Sequence, residues 1–391
     1  MNSADDPIYL DYNATTPLLP EVVHAMLPYL QEHFGNPSSR HLYGRRTHDA
    51  IERARSELAA LINSHADEII FTSGGTEANN LAIRGTTARA SRRRIVTSTI
   101  EHPATARPVS WREQQGWDIV RVGVDTGGRA EVRELDAAIT SATTLVTIMH
   151  SNNETGVFQP IQEAVRFARR AGALVHTDAA QSVGKVPIDV RAMDVDLLSI
   201  AGHKLYGPKG VGALFVRRGT GLEPMTLGAG HERGLRPGTE NVASIVGLGA
   251  ACAVAQHDLD VQGARVRALR DRLWEQLAQA IPHLALNGHV EHRLPNRSMS
   301  AFLGFLARRF SPRPRRSLRL PGLHATTVTS RLPLFCWRWV SRLRPRWAQS
   351  GSRWDAPRPS PRSTAPPPRL RALGAHLCSN SLGIDDDSDK R

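Results

Sequence analysis

Asp196-Leu197-Leu198-Ser199-Ile200-Ala201-Gly202-His203-Lys204 sets the architecture: a continuously apolar run gives way to small residues and ends on a lysine, just ahead of the glycine-rich Tyr206-Gly207-Pro208-Lys209-Gly210-Val211-Gly212. Residues 68–72, 94–98, 144–149, 173–177 and 212–216 are runs of the same kind, rich in Val, Ile, Leu and Thr. Continuous rather than alternating apolar residues suit strands covered on both faces of a mostly parallel sheet. Helical patterns at 48–61, 160–170 and 242–280 supply the cover, the last with a break expected near 257–263. The expected class is α/β, with helices on both faces.

A chain of 391 residues has room for one large domain and a smaller one. We read residues 1–255 as the large domain, with segment 1–15 packing toward the smaller one, 256–303 as the start of the smaller domain, and 304–391 as a separate tail. The net charge of +13 sits in that tail: roughly 32 basic and 32 acidic residues precede Gly304, and roughly 18 basic and 5 acidic occur from there on. Arg, Pro, Ser and Trp dominate it without a helical or strand period, so it is expected to be disordered or read out of frame. Cys252, Cys336 and Cys378 are too few and too irregularly spaced for a disulfide framework or a thiolate zinc site, and no metal is expected. The N-terminus lacks a charged region followed by an apolar one, and no apolar run approaches about 18 residues. A cytoplasmic protein without a membrane partner is the expectation.

Ligands of open α/β sheets gather where strands end. Residues 68–72 lead into Ser73-Gly74-Gly75-Thr76-Glu77, whose glycines admit an anion to a helix N-terminus, although a plain glycine turn reads the same way. Glu101-His102, Asn152-Asn153-Glu154 and Asp178-Ala179-Ala180-Gln181 follow the next runs. A carboxylate at a buried strand end needs a cation, and a pyridinium nitrogen would serve Asp178. A lysine placed like Lys204 can be desolvated into an imine-forming nucleophile, unless it snorkels to water.

In this order the segments resemble the cysteine desulfurases and selenocysteine lyases, within the class V aminotransferase group of fold-type I pyridoxal-phosphate enzymes. The resemblance runs over residues 8–300 and rests on Tyr9-Leu10-Asp11-Tyr12-Asn13-Ala14-Thr15-Thr16-Pro17, Gly35-Asn36-Pro37-Ser38-Ser39, Ser73-Gly74-Gly75-Thr76-Glu77, Asn152-Asn153-Glu154, Asp178-Ala179-Ala180-Gln181, His203-Lys204, and the loop His231-Glu232-Arg233-Gly234-Leu235-Arg236-Pro237-Gly238-Thr239-Glu240-Asn241. It implies pyridoxal 5'-phosphate as cofactor and a seven-stranded sheet joined to a smaller C-terminal α/β domain, incomplete here. It also implies L-cysteine or L-selenocysteine as substrate, L-alanine and an enzyme-bound persulfide as products, a homodimer, and a sulfur-acceptor protein such as iron–sulfur cluster assembly requires.

Carried over by position, Lys204 holds the cofactor as a Schiff base and shuttles the substrate's α-proton. His102 stacks on the ring and assists acid–base steps, Asp178 pairs with the ring nitrogen, and Asn153 and Gln181 orient the phenolic oxygen. Gly75, Thr76 and His203 bind the phosphate, Gly202 belongs to the same cofactor-binding set, and Thr239 reaches the phosphate of a neighbouring subunit. Ala201 stands where many desulfurases have Ser, one hydroxyl contact fewer, worth about 0.5–1.5 kcal/mol.

The family's sulfur-abstracting cysteine is expected roughly forty residues after Leu286-Asn287-Gly288, yet there the chain reads Pro321-Gly322-Leu323-His324-Ala325-Thr326-Thr327-Val328. The arginine that clamps the substrate carboxylate, in a Ser-Leu-Gly-Arg-like strand, is missing as a motif. Cys336 comes late and among bulky apolar groups, Cys378 comes later still, and Cys252 reads as a core residue. The chain as written is expected to bind the cofactor with impaired desulfurase turnover. Two other readings are a selenocysteine lyase and a non-catalytic cofactor-binding protein whose basic tail contacts nucleic acid. Resequencing the gene is expected to reveal a frame change near the codon for Gly304; a transcript and peptide masses matching the uninterrupted sequence would refute this.

Overall fold

Ile69, Phe71, Val96, Val146 and Leu198 belong to one apolar layer, while their neighbours Ile70, Ile95, Leu145 and Leu197 belong to layers on the opposite side. Both faces of these strands are therefore sealed, which is why their sequences do not alternate with polar residues. The molecule is known from a computed structural model that describes residues 9–281, 284–297 and 299–302.

The chain runs α1 (Pro20–Gln31), α2 (Leu42–Leu61), β1 (Ile69–Thr72), α3 (Gly75–Thr87), β2 (Arg94–Ser98), α4 (Pro103–Gln114), β3 (Asp118–Val122), α5 (Val132–Ala138) and β4 (Thr143–Thr147). It continues through α6 (Ile161–Ala171), β5 (Leu174–Asp178), α7 (Val190–Met193), β6 (Leu197–Ala201), β7 (Gly212–Val216), α8 (Val242–Ala280), β8 (Leu284–Asn287) and β9 (Met299–Phe302). Seven strands form one sheet in the order β1-β7-β6-β5-β4-β2-β3. Only β7 runs against the others, pairing antiparallel with β1 and β6. The remaining pairs are parallel, so β1, β2, β4, β5 and β6 deliver their carboxyl ends to one edge.

The strands read from the sequence recur with ends shifted by at most two residues. β3 had no such signal because it is an edge strand whose first four residues are partly or fully exposed. α1 was equally silent, burying only Val22. The expected break near 257–263 is a correction: Val242–Ala280 is a single helix. Its interior holds no proline, and Gly263 alone costs about 1 kcal/mol relative to alanine, too little to end a helix of this length. Burial instead divides it, since its buried residues stop at Cys252, after the turns that pack on α1 and α2. The boundary expected at 255/256 thus falls within continuous helix. Cys252 lies in the core, as read from its small apolar neighbours. Cys336, Cys378 and the basic tail lie outside the described residues.

Beyond α8, β8 and β9 pair antiparallel, and the connecting segment returns to the large sheet's loops through Phe158 N–H to the His292 carbonyl and Leu294 N–H to the Gly156 carbonyl, both 3.0 Å.

A buried ion pair holds the loop that follows β7. Glu232 and Arg233 adopt left-handed backbone angles, φ 47° and 58°, a conformation that needs support from its surroundings. The Glu232 carboxylate supplies it by accepting from both terminal nitrogens of Arg55 at 2.8 and 2.7 Å and from the Phe71 N–H at 2.7 Å. Arg55→Met would strand that carboxylate and should cost about 3–5 kcal/mol in urea unfolding. The pair Arg55→Met with Glu232→Gln should lose less than Arg55→Met alone; an equal or greater loss would show that the charge is not what matters.

Candidate active site

The parallel strands bring their terminal and following residues to one cleft. Gly75, Thr76, His102, Asn153, Asp178, Gln181, His203 and Lys204 line it, eight of the ten residues singled out from the sequence. Gly202 lies beside it, donating its N–H to Val211 and accepting from the N–H groups of Leu205 and Gly207, all at 3.1 Å. Thr239 lines a separate cleft with His33, Phe34 and Asn36. Asn79, Met149 and Ser151 also line the active cleft, and the sequence reading missed them. Asn79 could have been found by its spacing, one helical turn beyond Gly75.

At one end of the cleft, α3 starts at Gly75 without a side-chain cap from Gly74. The first-turn N–H groups are therefore available to an anion in the partial positive field of the helix. A Cβ on Gly75 would come within 3.2 Å of the Ala201 Cβ, so a side chain there would crowd this cradle. Glu77 does not compete for it: its carboxylate accepts from the Ser73 N–H at 2.6 Å and pairs with Arg236 at 3.0 Å.

Lys204 follows β6 by three residues, and its Nζ donates to the Asn13 carbonyl. Burial, and then the positive charge of Arg297, hold the ammonium below its ordinary pKa, against the opposing pull of Asp178 and Asp11. Asn13 belongs to the N-terminal segment expected to pack toward a smaller domain; its described part is tied to the Lys204 loop. Thr16 donates to the His203 carbonyl through N–H and Oγ1, each at 3.0 Å, and accepts the Tyr206 N–H at 2.9 Å.

Asp178 ends β5 at 8 % exposure and accepts from Asn79 Nδ2 at 2.6 Å and the Ala180 N–H at 3.0 Å. Both donors are neutral, and the carboxylate has lone pairs left for a cationic ring nitrogen. The buried Oδ1 of Asn79 lacks a partner in the same place. His102 caps α4, its Nδ1 accepting the Ala104 N–H at 3.1 Å, which assigns the proton of the neutral ring to Nε2. Burial lowers the imidazole's pKa and favours that neutral form, despite Asp178. An uncapped helix N-terminus, a desolvated amine, a carboxylate and a neutral imidazole are the donor set that a phosphorylated pyridine aldehyde requires. The residues present fit pyridoxal phosphate.

Behind His102 lies Glu101, whose Oε1 accepts from Ser98 Oγ at 2.6 Å and the Met149 N–H at 3.0 Å, while buried Oε2 has no partner. Burial pushes this carboxyl up to about 8 against those two hydrogen bonds. Two further groups gave no sequence signal. Arg297 donates to the Asn153 carbonyl and, at 2.5 Å, to Gln181 Oε1; the half-buried Lys185 donates to the Gln181 carbonyl at 3.1 Å.

Residues 8–304 match the model of the aminotransferase class V family. A cysteine desulfurase IscS from Anaeromyxobacter dehalogenans is 47 % identical over 294 residues, 74 % of this chain and 73 % of the relative. A cysteine desulfurase from Gluconacetobacter diazotrophicus is 46 % identical over 75 % of this chain and 74 % of its own length. Among solved structures, a NifS-like protein superposes with a TM-score of 0.73 at 34 % identity, covering 76 % of this chain and 82 % of that one. SspA in complex with cysteine gives 0.69 at 34 % identity, covering 76 % and 84 %.

The raised pKa of Glu101 fixes the sign of a pH effect. Between the ordinary carboxylate range and about 8 the folded protein holds a proton that the unfolded chain has lost. Stability should therefore fall as pH rises through that window. Glu101→Gln keeps the shape without the titration and should flatten the slope; urea midpoints at pH 5, 6.5 and 8 with the wild-type slope retained would exclude Glu101 as its source.

Proposed function

Because this chain belongs to the class V aminotransferase family, within its cysteine desulfurases, we propose that the cleft at the carboxyl edge of the sheet is where it carries out that family's chemistry. The enzyme is pyridoxal-phosphate-dependent, and its reaction takes sulfur from L-cysteine and leaves L-alanine. When bound, the pyridoxal ring draws electrons away from the substrate's Cα.

The chain's own residues divide the remaining work. The N–H groups at the start of α3, the Thr76 hydroxyl and the His203 ring hold the phosphate, with Gly202 shaping the loop that carries His203. Asp178 holds the ring nitrogen in its protonated form. Asn153 and Gln181 orient the phenolic oxygen. Burial and Arg297 lower the pKa of Lys204, which would hold the cofactor through its amine and move a proton at the substrate Cα. His102 stacks its neutral ring and offers Nε2–H. The desolvated Lys204 amine facing Asp178 across one cleft carries this reading.

Thr239 serves the phosphate site of a second copy of the chain, a reading supported by its place outside this cleft. A sulfur-acceptor protein completes the cycle. Turnover of this chain is low, because Cys252 is a fully buried thiol whose pKa burial pushes far above the ordinary range, and no other cysteine stands in the segment where the family carries its nucleophile.

Purified protein is expected to show the absorbance of the lysine-bound cofactor, and Lys204→Ala to abolish it while leaving far-ultraviolet dichroism unchanged. A variant that stays coloured would refute the Lys204 assignment. With L-cysteine, sulfide and alanine should form at rates far below those of the related desulfurases; rapid release that survives Cys336→Ala would overturn the loss of the nucleophile.

A further inference from the structure

Arg297 comes from the segment before β9, yet it ends beneath the active cleft at 1 % exposure. Room for it is made at Gly156, whose φ is 77° and where a Cβ would come within 2.5 Å of the Arg297 Cγ. The guanidinium donates to the Asn153 carbonyl and to Gln181 Oε1, and its Nε has no partner. Neither recorded acceptor is charged. The buried charge is thus held by two residues of the cleft, with Asp11 as the acid that favours it at longer range.

A carboxamide has one accepting end and one donating end. With Oε1 committed to Arg297, Gln181 turns Nε2 toward Asn13, whose carbonyl accepts it at 3.3 Å and also accepts from Lys204. We propose that Arg297 is a positioning residue of the active site, fixing Gln181 with its N–H₂ toward the cofactor's phenolic oxygen and holding a permanent positive charge beside Lys204. This rests on the reading of the cleft given above. Arg297 does not itself line the cleft and acts through Gln181, Asn153 and the field.

The groups that face Lys204 are Asp178 at the end of β5, Asp11 and the Asn13 carbonyl of the N-terminal segment, Lys185, and His203 and His102 at the strand ends. Arg297 disfavours its protonation, and Asp178 and Asp11 favour it. Neutralising Arg297 must therefore move the Lys204 titration to higher pH.

Two readouts test this on the full-length protein. In the cofactor-loaded form, absorbance is followed against pH in wild type, Arg297→Lys, Arg297→Gln and Arg297→Met. The midpoint is expected to rise by about one pH unit in the Gln and Met variants, the effect of losing one nearby like charge, and to stay near wild type in Arg297→Lys. After removal of the cofactor, acetic anhydride labelling of Lys204 as a function of pH, read by peptide mass, should shift in the same direction. Midpoints unchanged in both Gln and Met variants would overturn the inference while leaving the function standing. Should Arg297→Met fail to fold, Arg297→Gln, which keeps a donor without the charge, decides alone. Wild-type protein that never takes up colour counts against the proposed function, not against this assignment, which the labelling still judges.

Discussion

Because apolar layers seal both faces of the large sheet, polar side chains can reach an opening only where strands end. Five parallel strands in succession, and β1 beyond the antiparallel β7, deliver their ends to one edge. Asp178, His102 and Lys204 are thereby brought together from segments separated by about a hundred residues, Asp178 as the last residue of β5 and His102 and Lys204 within a few residues of the ends of β2 and β6. This constraint serves the chemistry as well as the fold. A group at a buried strand end is partly desolvated, and desolvation keeps the amine of Lys204 and the imidazole of His102 nearer neutrality than water would.

The electrostatics of the cleft is a balance among few charges. Arg297 lowers the proton affinity of Lys204, and burial together with Arg297 and Lys204 brings Lys185 down to about 7. Asp178 and Asp11 are the opposing acids, and the recorded donors to Asp178 are an amide side chain and a backbone N–H, with no cation among them. A phosphate at the α3 N-terminus would add further negative charge beside this excess of cations. The arrangement is therefore better matched to a bound anionic cofactor than to water alone.

The sheet was legible because continuous apolar runs bounded by glycines and polar residues have few alternatives in a chain of this length. The edge strand β3 and helix α1 were not legible, since neither is buried enough to leave a periodic pattern. Helix α8 misled in the other direction. Its change from apolar to charged residues near 257 looked like an ending, but it marks only where the helix leaves the core, and the backbone hydrogen bonds continue without regard to which face is wet.

The sequence by itself determined which residue types stand at the strand ends, and their order was specific enough to identify the cofactor and the family. It determined too that from Gly304 on the text no longer follows that pattern. Only the tertiary structure decided that Thr239 lies in a separate cleft, that the Asn13 carbonyl covers Lys204, and that Arg297 lies under Gln181. These are contacts between segments more than a hundred residues apart, made by side chains and carbonyls that obey no local period. Packing alone brings them together, and packing is not written in any one stretch of sequence.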